Sequence, residues 1–192
     1  ISKSDWKSNG PRSTQIAAFS FCSREIMTDI SIRPFAWGDV PAITAIYRHY
    51  VEHSTATFDL DAPGEAFMAE KFGHLVELGH PAVVAVAADG KLLGYGYASI
   101  YRPRPAYRFT CENSVYCAPD AQRGGVGTAL MQRVIADSRT HGFKQMIAVI
   151  TAESTGSLRL HEKLGFREVG RYEAVGFKFD RWLDIVHLQM AL

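Results

Sequence analysis

The sequence has 192 residues, of which 47% are hydrophobic and 21% are charged, and its formal net charge is +1. This length and composition are typical of one globular domain with a buried core. The near-neutral charge argues against nucleic acid or an anionic membrane as a partner, and no apolar run approaches the roughly 20 residues that a membrane-spanning helix needs.

Residues 1–26 differ in kind from the rest of the chain. They are rich in serine, mildly basic and without sustained periodicity, whereas Met27 is followed by TDISIRPFAWGDVPAI, which is typical of a natural protein start. We interpret residues 1–26 as a vector-derived or upstream-translated leader outside the fold, with a transit peptide as the alternative. Residues 27–192 are then the folded domain.

The first half of this domain predicts a strand, two helices and a hairpin. Alternation over residues 30–34 predicts the strand. Asp39, followed by Val40-Pro41, predicts the N-cap of a helix with apolar residues at helical spacing: Ile43, Ile46, Tyr47 and Tyr50. A second helix, ended by Gly79 and Pro81, carries four apolar residues on one side: Phe67, Phe72, Leu75 and Leu78. Two apolar runs around Asp89-Gly90 predict a hairpin with a two-residue turn.

The second half continues with alternating strands and helices. YRFTCENSVYCA predicts a strand with a polar interruption at Glu112-Asn113, and QMIAVIT predicts a short buried strand. Between them a helix begins at Val126 and ends at Gly142. Another helix follows, capped by Ser154 or Thr155 and closed by Gly165, and its apolar residues are Leu158, Leu160 and Leu164. Two further strands complete the chain, so we predict an α/β (mixed α+β) fold with one mixed, mostly antiparallel sheet.

A glycine-rich turn, QRGGVG at residues 122–127, lies between the interrupted strand and the following helix. Backbone N–H groups exposed at a helix N-terminus are a common phosphate-binding site. The turn is not a dinucleotide fingerprint, because Leu130 stands where a third glycine is needed, and it is not a P-loop, because it has no lysine. A plain strand-to-helix turn is the alternative to a phosphate site.

QRGGVG resembles the Q/R-x-x-G-x-G/A pyrophosphate signature of the GNAT superfamily of N-acetyltransferases. The segments YRFTCENSVYCAPDAQRGGVG, AVIT, SLRLHEKLGF and GFKFDRWLDIVHLQ also follow in the order of one branch. That branch contains the phosphinothricin acetyltransferases and the L-amino-acid N-acetyltransferases that act on methionine sulfone and methionine sulfoximine. The resemblance covers about Met27 to Leu192 and implies a GNAT fold, with a single sheet flanked by helices.

The resemblance implies acetyl-CoA as the co-substrate and direct transfer in a ternary complex, with Cys117 beside the thioester rather than acting as a nucleophile. The implied cofactor-binding residues are Val115, Tyr116, Cys117, Gln122, Arg123, Gly124, Gly125, Val126, Gly127, Thr128, Ser154 and Ser157. The branch usually has asparagine where this chain has Ser154. Because serine cannot span the same distance, we expect cofactor affinity or substrate pose to differ.

The chemistry needs a general base, since an α-amino group is mostly protonated at neutral pH. Glu112 at the polar break matches the catalytic glutamate of the family, with an exposed surface glutamate as the alternative. His161 stands where many GNAT enzymes have a tyrosine, and we expect it to act as a general acid or to orient the site, a structural histidine being the alternative. Backbone N–H groups near Val115 are expected to stabilise the oxyanion.

Substrate recognition is expected to use Arg108, because an amino-acid carboxylate favours an arginine partner. The resemblance adds Thr57, Phe58 and Lys178 to the acceptor pocket, although Phe58 also suits a core aromatic. These expectations indicate acetyl transfer to the α-amino group of a small L-amino acid or analogue. A GNAT enzyme acting on a protein N-terminus or a polyamine, and a non-catalytic acyl-CoA sensor, remain open.

The three cysteines bear on the compartment and on metals. Cys22, Cys111 and Cys117 are odd in number and lack metal-ligand spacing. That pattern fits a reducing compartment better than a disulfide framework, so we expect a cytoplasmic protein with no bound metal. The relatives in this branch are typically homodimers, which implies the same assembly here.

Overall fold

The computed structural model describes residues 30–122 and 124–192. The predicted leader at residues 1–26 and the predicted cofactor contact Arg123 lie outside these described residues, so both stay predictions. Within the described chain, no helix is both long and apolar enough to cross a lipid bilayer.

Within the described residues, seven strands form one sheet in the order β1-β2-β3-β4-β5-β7-β6. The strands are β1 (Ser31–Pro34), β2 (Ala82–Val86), β3 (Leu92–Ile100), β4 (Thr110–Cys117), β5 (Gln145–Thr151), β6 (Arg167–Lys178) and β7 (Arg181–Ala191). Only the β4–β5 pair is parallel, and the other neighbours are antiparallel. The predicted mixed, mostly antiparallel sheet is therefore confirmed.

Helices cover both faces of this sheet. They are α1 (Val40–His53), α2 (Glu65–Glu77), α3 (Val126–His141) and α4 (Thr155–Lys163). Side chains alternate between the two faces of β3: Tyr95 and Tyr97 contact Phe72 of α2, whereas Gly94 and Gly96 face α3. A Cβ at Gly94 would lie 2.7 Å from a backbone oxygen of β4, so glycine is needed for this close approach.

The cap of α1 and the buried face of α2 differ from the sequence predictions. Asp39 does not cap α1 with its side chain; its carboxylate accepts hydrogen bonds from the Arg33 guanidinium at 2.6 and 2.7 Å, because it closes a 3₁₀ turn just before the helix. In α2, Phe67 and Leu78 are exposed by 57% and 46%. The buried stripe of α2 instead starts at Met68 and follows the i, i+4, i+7 spacing: Met68, Phe72 and Leu75.

The β2–β3 turn is longer than the predicted two residues. The Gly90 N–H donates to the Ala87 carbonyl at 2.9 Å, and of the two residues predicted to form the turn only Gly90 has a positive φ, 85°. This is a type I turn followed by a left-handed glycine, which makes a three-residue loop with a bulge. The register shift next to Val86 agrees with that geometry.

The parallel pair β4–β5 opens part of the way along its length. Pairing runs from Thr110 opposite Gln145 to Glu112 opposite Ile147, although β4 continues to Cys117 and β5 to Thr151. The two strands therefore separate beyond Glu112 and leave a wedge-shaped opening in the sheet. We call this opening, between residues 113–117 of β4 and 148–151 of β5, the strand opening.

Candidate active site

The strand opening presents unpaired backbone groups of β4. The even-numbered residues of β4 bond to β3, since hydrogen bonds at the two ends of that pair join Ala118 to Leu93 and Tyr101 to Thr110. Hydrogen-bonding direction alternates along an antiparallel pair. The backbone groups that point across the opening therefore belong to the odd-numbered residues Asn113, Val115 and Cys117, and of these the Cys117 carbonyl already accepts a hydrogen bond from the Tyr50 hydroxyl. An extended ligand in the opening can bond to the remaining groups as an additional strand would.

The narrow end of the opening is closed by an Asn113–His161 contact. Asn113 Nδ2 donates to the Ile147 carbonyl at 3.2 Å, which turns its Oδ1 toward His161 Nε2 at 3.0 Å. His161 Nδ1 lies 2.8 Å from the Ser157 carbonyl oxygen. The His161 side chain is buried, and burial lowers its pKa and favours the neutral imidazole. Both ring nitrogens of His161 thus face oxygen atoms inside the protein, and the neutral ring donates its single N–H to one of the two.

The glycine-rich turn lies at the wide end of the opening and starts α3. Gly125 has φ 86°, a left-handed conformation that favours glycine, and among the described residues no side chain caps the helix. The first N–H groups of α3 are left for a ligand, and the positive end of the helix dipole is directed at the same place. Gly127 has a different role, because a Cβ there would press on Leu160 of α4 at 3.3 Å.

A short hydrogen-bond chain links this turn to β4. Gln122 Nε2 donates to the Tyr50 hydroxyl at 3.3 Å, and that hydroxyl donates to the Cys117 carbonyl at 2.8 Å. The Cys117 thiol is partly buried, and burial raises its pKa to about 11. A thiol in that state is a poor nucleophile at neutral pH, which agrees with the predicted role of Cys117 as a strand residue only.

Glu112 is the last residue of β4 that pairs with β5, and its side chain is on the face of the sheet covered by α1 and α2. Its carboxyl group is half-buried, and burial raises its pKa, while the positive charges of Arg102 and Lys71 act in the opposite direction. A carboxylate with a raised pKa, exposed in part to a cleft and balanced by cations, has the character of a general base.

Tyrosine rings form a wall beside Glu112. The Tyr116 ring, on the same face of β4, packs edge-to-face against Tyr47 and Tyr50 of α1, with ring centroids 5.3 and 5.2 Å apart. Lys71 of α2 holds its ammonium 4.8 Å from the Tyr97 ring centroid. This wall is a surface on which an aliphatic or polarisable acceptor side chain can pack.

The α1–α2 loop (residues 54–64) borders the same face and carries two predicted pocket residues. Thr57 Oγ1 lies 2.9 Å from the Tyr47 hydroxyl, which donates to Asp59 at 2.7 Å. Phe58 is partly exposed and packs on β6, where a Cβ added at Gly176 would lie 2.2 Å from its ring. The loop therefore connects the tyrosine wall to the β6–β7 hairpin.

Lys178 fastens this loop to the hairpin. Its side chain is 4% exposed, and Nζ donates to the Ser54 and Thr57 carbonyls at 2.9 and 2.8 Å. A second tie is ionic: the Arg181 guanidinium donates to Glu153 at 2.6 and 2.7 Å, and Glu153 also accepts from Thr55 Oγ1 at 2.6 Å. We call four residues that hold the loop the loop clamp: Gly176, Lys178 and Arg181 of the hairpin, and Glu153 of the connection between β5 and α4.

Ser154 and Ser157 lie at the start of α4, across the opening from β4. Ser154 Oγ bonds to Thr151 Oγ1 at 2.7 Å and does not cap the helix. A groove of about 320 Å³ runs past Ser154 between the end of α1 and the β6–β7 turn. Ser154 is one of the residues that line this groove.

Arg108, the predicted partner of the acceptor carboxylate, contacts its own sequence neighbours and not the other predicted site residues. Its guanidinium stacks on the Phe109 ring at 4.5 Å, donates to the Pro105 carbonyl at 3.3 Å and is solvent-exposed. Arg102, not Arg108, is the arginine whose charge acts on Glu112.

Sequence reasoning missed Asn113, Lys71 and Tyr97 as site residues. Asn113 could have been found, because it forms the other half of the polar break at Glu112. Lys71 and Tyr97 carry no such signal: a lysine on an amphipathic helix is ordinarily a solvated surface residue, and a tyrosine in a strand is ordinarily part of the core.

Comparisons with known proteins agree with this geometry. The sequence profile of the Acetyltransferase (GNAT) family matches residues 43–166. A phosphinothricin N-acetyltransferase from Alcaligenes faecalis is 47% identical over 155 residues, which cover 80% of this chain and 78% of that protein. An L-methionine sulfoximine/L-methionine sulfone acetyltransferase from Pseudomonas paraeruginosa is 36% identical over 162 residues, covering 84% and 94% of the two chains.

A solved structure has the same architecture. The GNAT superfamily phosphinothricin acetyltransferase from Sinorhizobium meliloti, in complex with acetyl-CoA, superimposes with a TM-score of 0.83 at 41% identity, covering 85% of this chain and 88% of the other. The profile match spans well over half of the chain, and the relatives cover most of it. The chain belongs to the GNAT family of acetyltransferases.

Proposed function

We propose that this enzyme transfers the acetyl group of acetyl-CoA to the α-amino group of a small L-amino acid or analogue, such as phosphinothricin, methionine sulfoximine or methionine sulfone. The observation that carries the proposal is Glu112, a half-buried carboxylate at the vertex of the strand opening. The names of the similar proteins support the substrate class.

The residues present fit acetyl-CoA. The uncapped N-terminus of α3, with the left-handed Gly125, suits a pyrophosphate, and the odd-numbered backbone groups of β4 suit an extended amide-containing arm. Bound there, acetyl-CoA supplies an activated thioester. Val115 N–H is the donor that we assign to the carbonyl oxygen on which negative charge develops.

Glu112 removes the proton that the acceptor ammonium must lose before its nitrogen can attack, directly or through one water. The new bond is between that nitrogen and the acetyl carbon, and the bond to the coenzyme A sulfur breaks. The nitrogen releases its second proton to solvent as the amide forms, and the departing thiolate takes up one proton from solvent. The wall of tyrosine rings excludes water from one side of the acceptor. We assign His161 a positioning role, because both of its ring nitrogens face oxygen atoms inside the protein and its Nε2 contacts Asn113.

Thiol release from acetyl-CoA tests this function against a panel of acceptors: phosphinothricin, methionine sulfoximine, methionine sulfone, common L-amino acids, a short peptide and spermidine. We expect turnover of the free amino acids, and a kcat lowered by about 10²- to 10⁴-fold in Glu112→Gln, since that is the usual contribution of a general base. Glu77→Gln, with its side chain 79% exposed at the end of α2, is the matched control.

Two outcomes would contradict the proposal. Turnover of only the peptide or spermidine would move the enzyme to another acceptor class. Tight acetyl-CoA binding with no turnover of any amine would favour an acyl-CoA sensor.

The proposal extends to assembly and compartment. A homodimer is supported by apolar side chains exposed on the β6–β7 hairpin, among them Phe177 and Trp182. A reducing, cytoplasmic setting is supported by Cys111 and Cys117, which are unpaired thiols in the described part of the chain.

A further inference from the structure

The Lys71 side chain has an unusual position for a lysine on an amphipathic helix. It lies on α2, and its ammonium is held over two tyrosine rings, 4.8 Å from the Tyr97 centroid and 5.6 Å from the Tyr47 centroid. Tyr97 is on the face of β3 that carries α1 and α2, the same face as Glu112. The lysine therefore points over the acceptor side of the site rather than away into solvent.

No carboxylate within the described part of the chain accounts for this position. In residues 30–122 and 124–192, none of the ion pairs involves Lys71. Its positive charge nevertheless acts on Glu112, where it opposes the rise in pKa that burial gives that carboxyl group. Lys71 is thus a cation whose charge acts on the base, although it forms no ion pair with a carboxylate of the described residues.

The two tyrosine rings preorganise the Lys71 ammonium for binding a ligand. Aromatic faces attract an ammonium without neutralising it, so the donors of Lys71 stay available to a ligand. The Tyr47 ring is itself fixed, because its hydroxyl donates to Asp59 at 2.7 Å and contacts Thr57 at 2.9 Å. A preorganised lysine loses less side-chain entropy on binding than a freely moving one.

An amino-acid acceptor needs such a partner. When its amino group approaches Glu112, its own anionic group is brought toward a second negative charge, and like charges at short distance oppose binding. A cation on the acceptor side of Glu112 offsets that repulsion and orients the acceptor at the same time.

We propose that Lys71 is a specificity-determining residue that binds an anionic oxygen of the acceptor, a carboxylate or a phosphinate. This rests on the proposed function, since it assumes a free amino acid or analogue as the acceptor. It extends that function by naming the residue that distinguishes anionic from neutral amines.

Steady-state kinetics of Lys71→Met and Lys71→Arg test the assignment. The acceptors are phosphinothricin, methionine sulfone and the α-carboxamide of methionine sulfone, measured at mildly alkaline pH so that Glu112 is ionised in every variant. Lys144→Met is the matched control, because that lysine is exposed in the turn before β5.

We expect Lys71→Met to raise the KM for the anionic acceptors by roughly 10- to 100-fold, the usual contribution of a hydrogen bond to a charged group. Its kcat and its KM for acetyl-CoA should stay within about twofold, whereas Lys71→Arg, which retains the charge, should largely restore acceptor binding. A loss confined to the two α-carboxylates, sparing the carboxamide, identifies the carboxylate as the bound group. A loss for phosphinothricin alone identifies the phosphinate, and either result supports the assignment.

Equal KM values in wild type and Lys71→Met, or an equal loss for the charged acceptors and the carboxamide, would overturn the assignment while leaving the proposed function intact. If the wild-type enzyme turned over none of these acceptors, the proposed function would fail, and the Lys71 assignment with it.

Discussion

Glu112 is placed between two opposing influences. Burial at the vertex of the strand opening raises the pKa of its carboxyl group, and the charges of Arg102 and Lys71 lower it. A raised pKa brings a glutamate closer to the pKa of the amine whose proton it takes, which improves proton transfer, but it also narrows the pH range in which the base is ionised. The positive charges of Arg102 and Lys71 limit the rise in pKa, and Glu112 therefore stays ionised over a wider range of pH.

Removing one of the cations should therefore shift the acid side of the pH profile. Activity needs ionised Glu112, so kcat should fall as the pH drops through the raised pKa of this group. In Arg102→Met that pKa rises further, because a positive charge that favours the carboxylate is lost, and the acid limb should move to higher pH. The measurement is kcat against pH at saturating substrates, with Arg48→Met as a control on the exposed face of α1. An acid limb that persists in Glu112→Gln would exclude Glu112 as its origin, whereas one that is unchanged in Arg102→Met would show that the Arg102 charge does not determine its position.

At the scale of elements, the β6–β7 hairpin determines where the α1–α2 loop lies. Lys178 bonds to two carbonyls of that loop, and Arg181 acts through Glu153 on a third residue, Thr55. The turn between these two basic residues is strained, since Phe179 and Asp180 have φ angles of 53° and 56°. The end of the hairpin thus has a defined conformation, and Lys178 acts on the acceptor pocket through the contacts that it makes with the loop.

Replacing Lys178 should loosen the loop without disturbing the cofactor site. Lys178→Met retains the aliphatic stem but leaves the Ser54 and Thr57 carbonyls without their donor, at a cost of about 1–3 kcal/mol. We expect faster amide hydrogen exchange in residues 54–60 and a higher KM for the acceptor, with the KM for acetyl-CoA unchanged. Lys163→Met, on the exposed side of α4, is the control. Unchanged exchange in the loop would show that Lys178 does not hold it.

Element types were predictable because each carries its own periodicity, but the site depends on contacts that periodicity does not contain. The strand-turn-helix around Gly125 was readable, since glycine at a left-handed helix start is a local requirement. The Asn113–His161 contact joins residues 48 positions apart and exists only because β4 and β5 separate after Glu112. Likewise, nothing local indicates that Arg108 stacks on its neighbour Phe109, or that Lys71, on a helix far away in the sequence, lies over the Tyr97 ring.

At the scale of the whole molecule, the sheet is unevenly covered. The two central strands β3 and β4 are packed between helices, whereas β6 forms an edge, and most of its side chains are exposed. Several of these are large and apolar, and Phe177 pairs with Trp182 of β7 across the hairpin, with ring centroids 5.2 Å apart. A contiguous exposed apolar patch is typical of a protein–protein interface.

If a second copy of the chain covers this patch, disrupting it should separate the protomers. Phe177 and Trp182 are 53% and 65% exposed, so replacing both with serine should leave the fold intact. Large aromatic side chains at the centre of an interface contribute about 2 kcal/mol or more each, so the double variant should raise the dimer dissociation constant by roughly 10³-fold.

Sedimentation velocity over a concentration series measures this dissociation constant. The control is Trp37→Ser, because Trp37 is a similarly exposed tryptophan beyond the other edge of the sheet. A wild-type chain that sediments as a monomer at every concentration would contradict the homodimer, whereas a dimer that persists in the double variant would place its interface elsewhere. Because the same hairpin carries Lys178, we also expect the dissociated variant to have a raised acceptor KM, which would connect assembly to the acceptor pocket through the loop clamp.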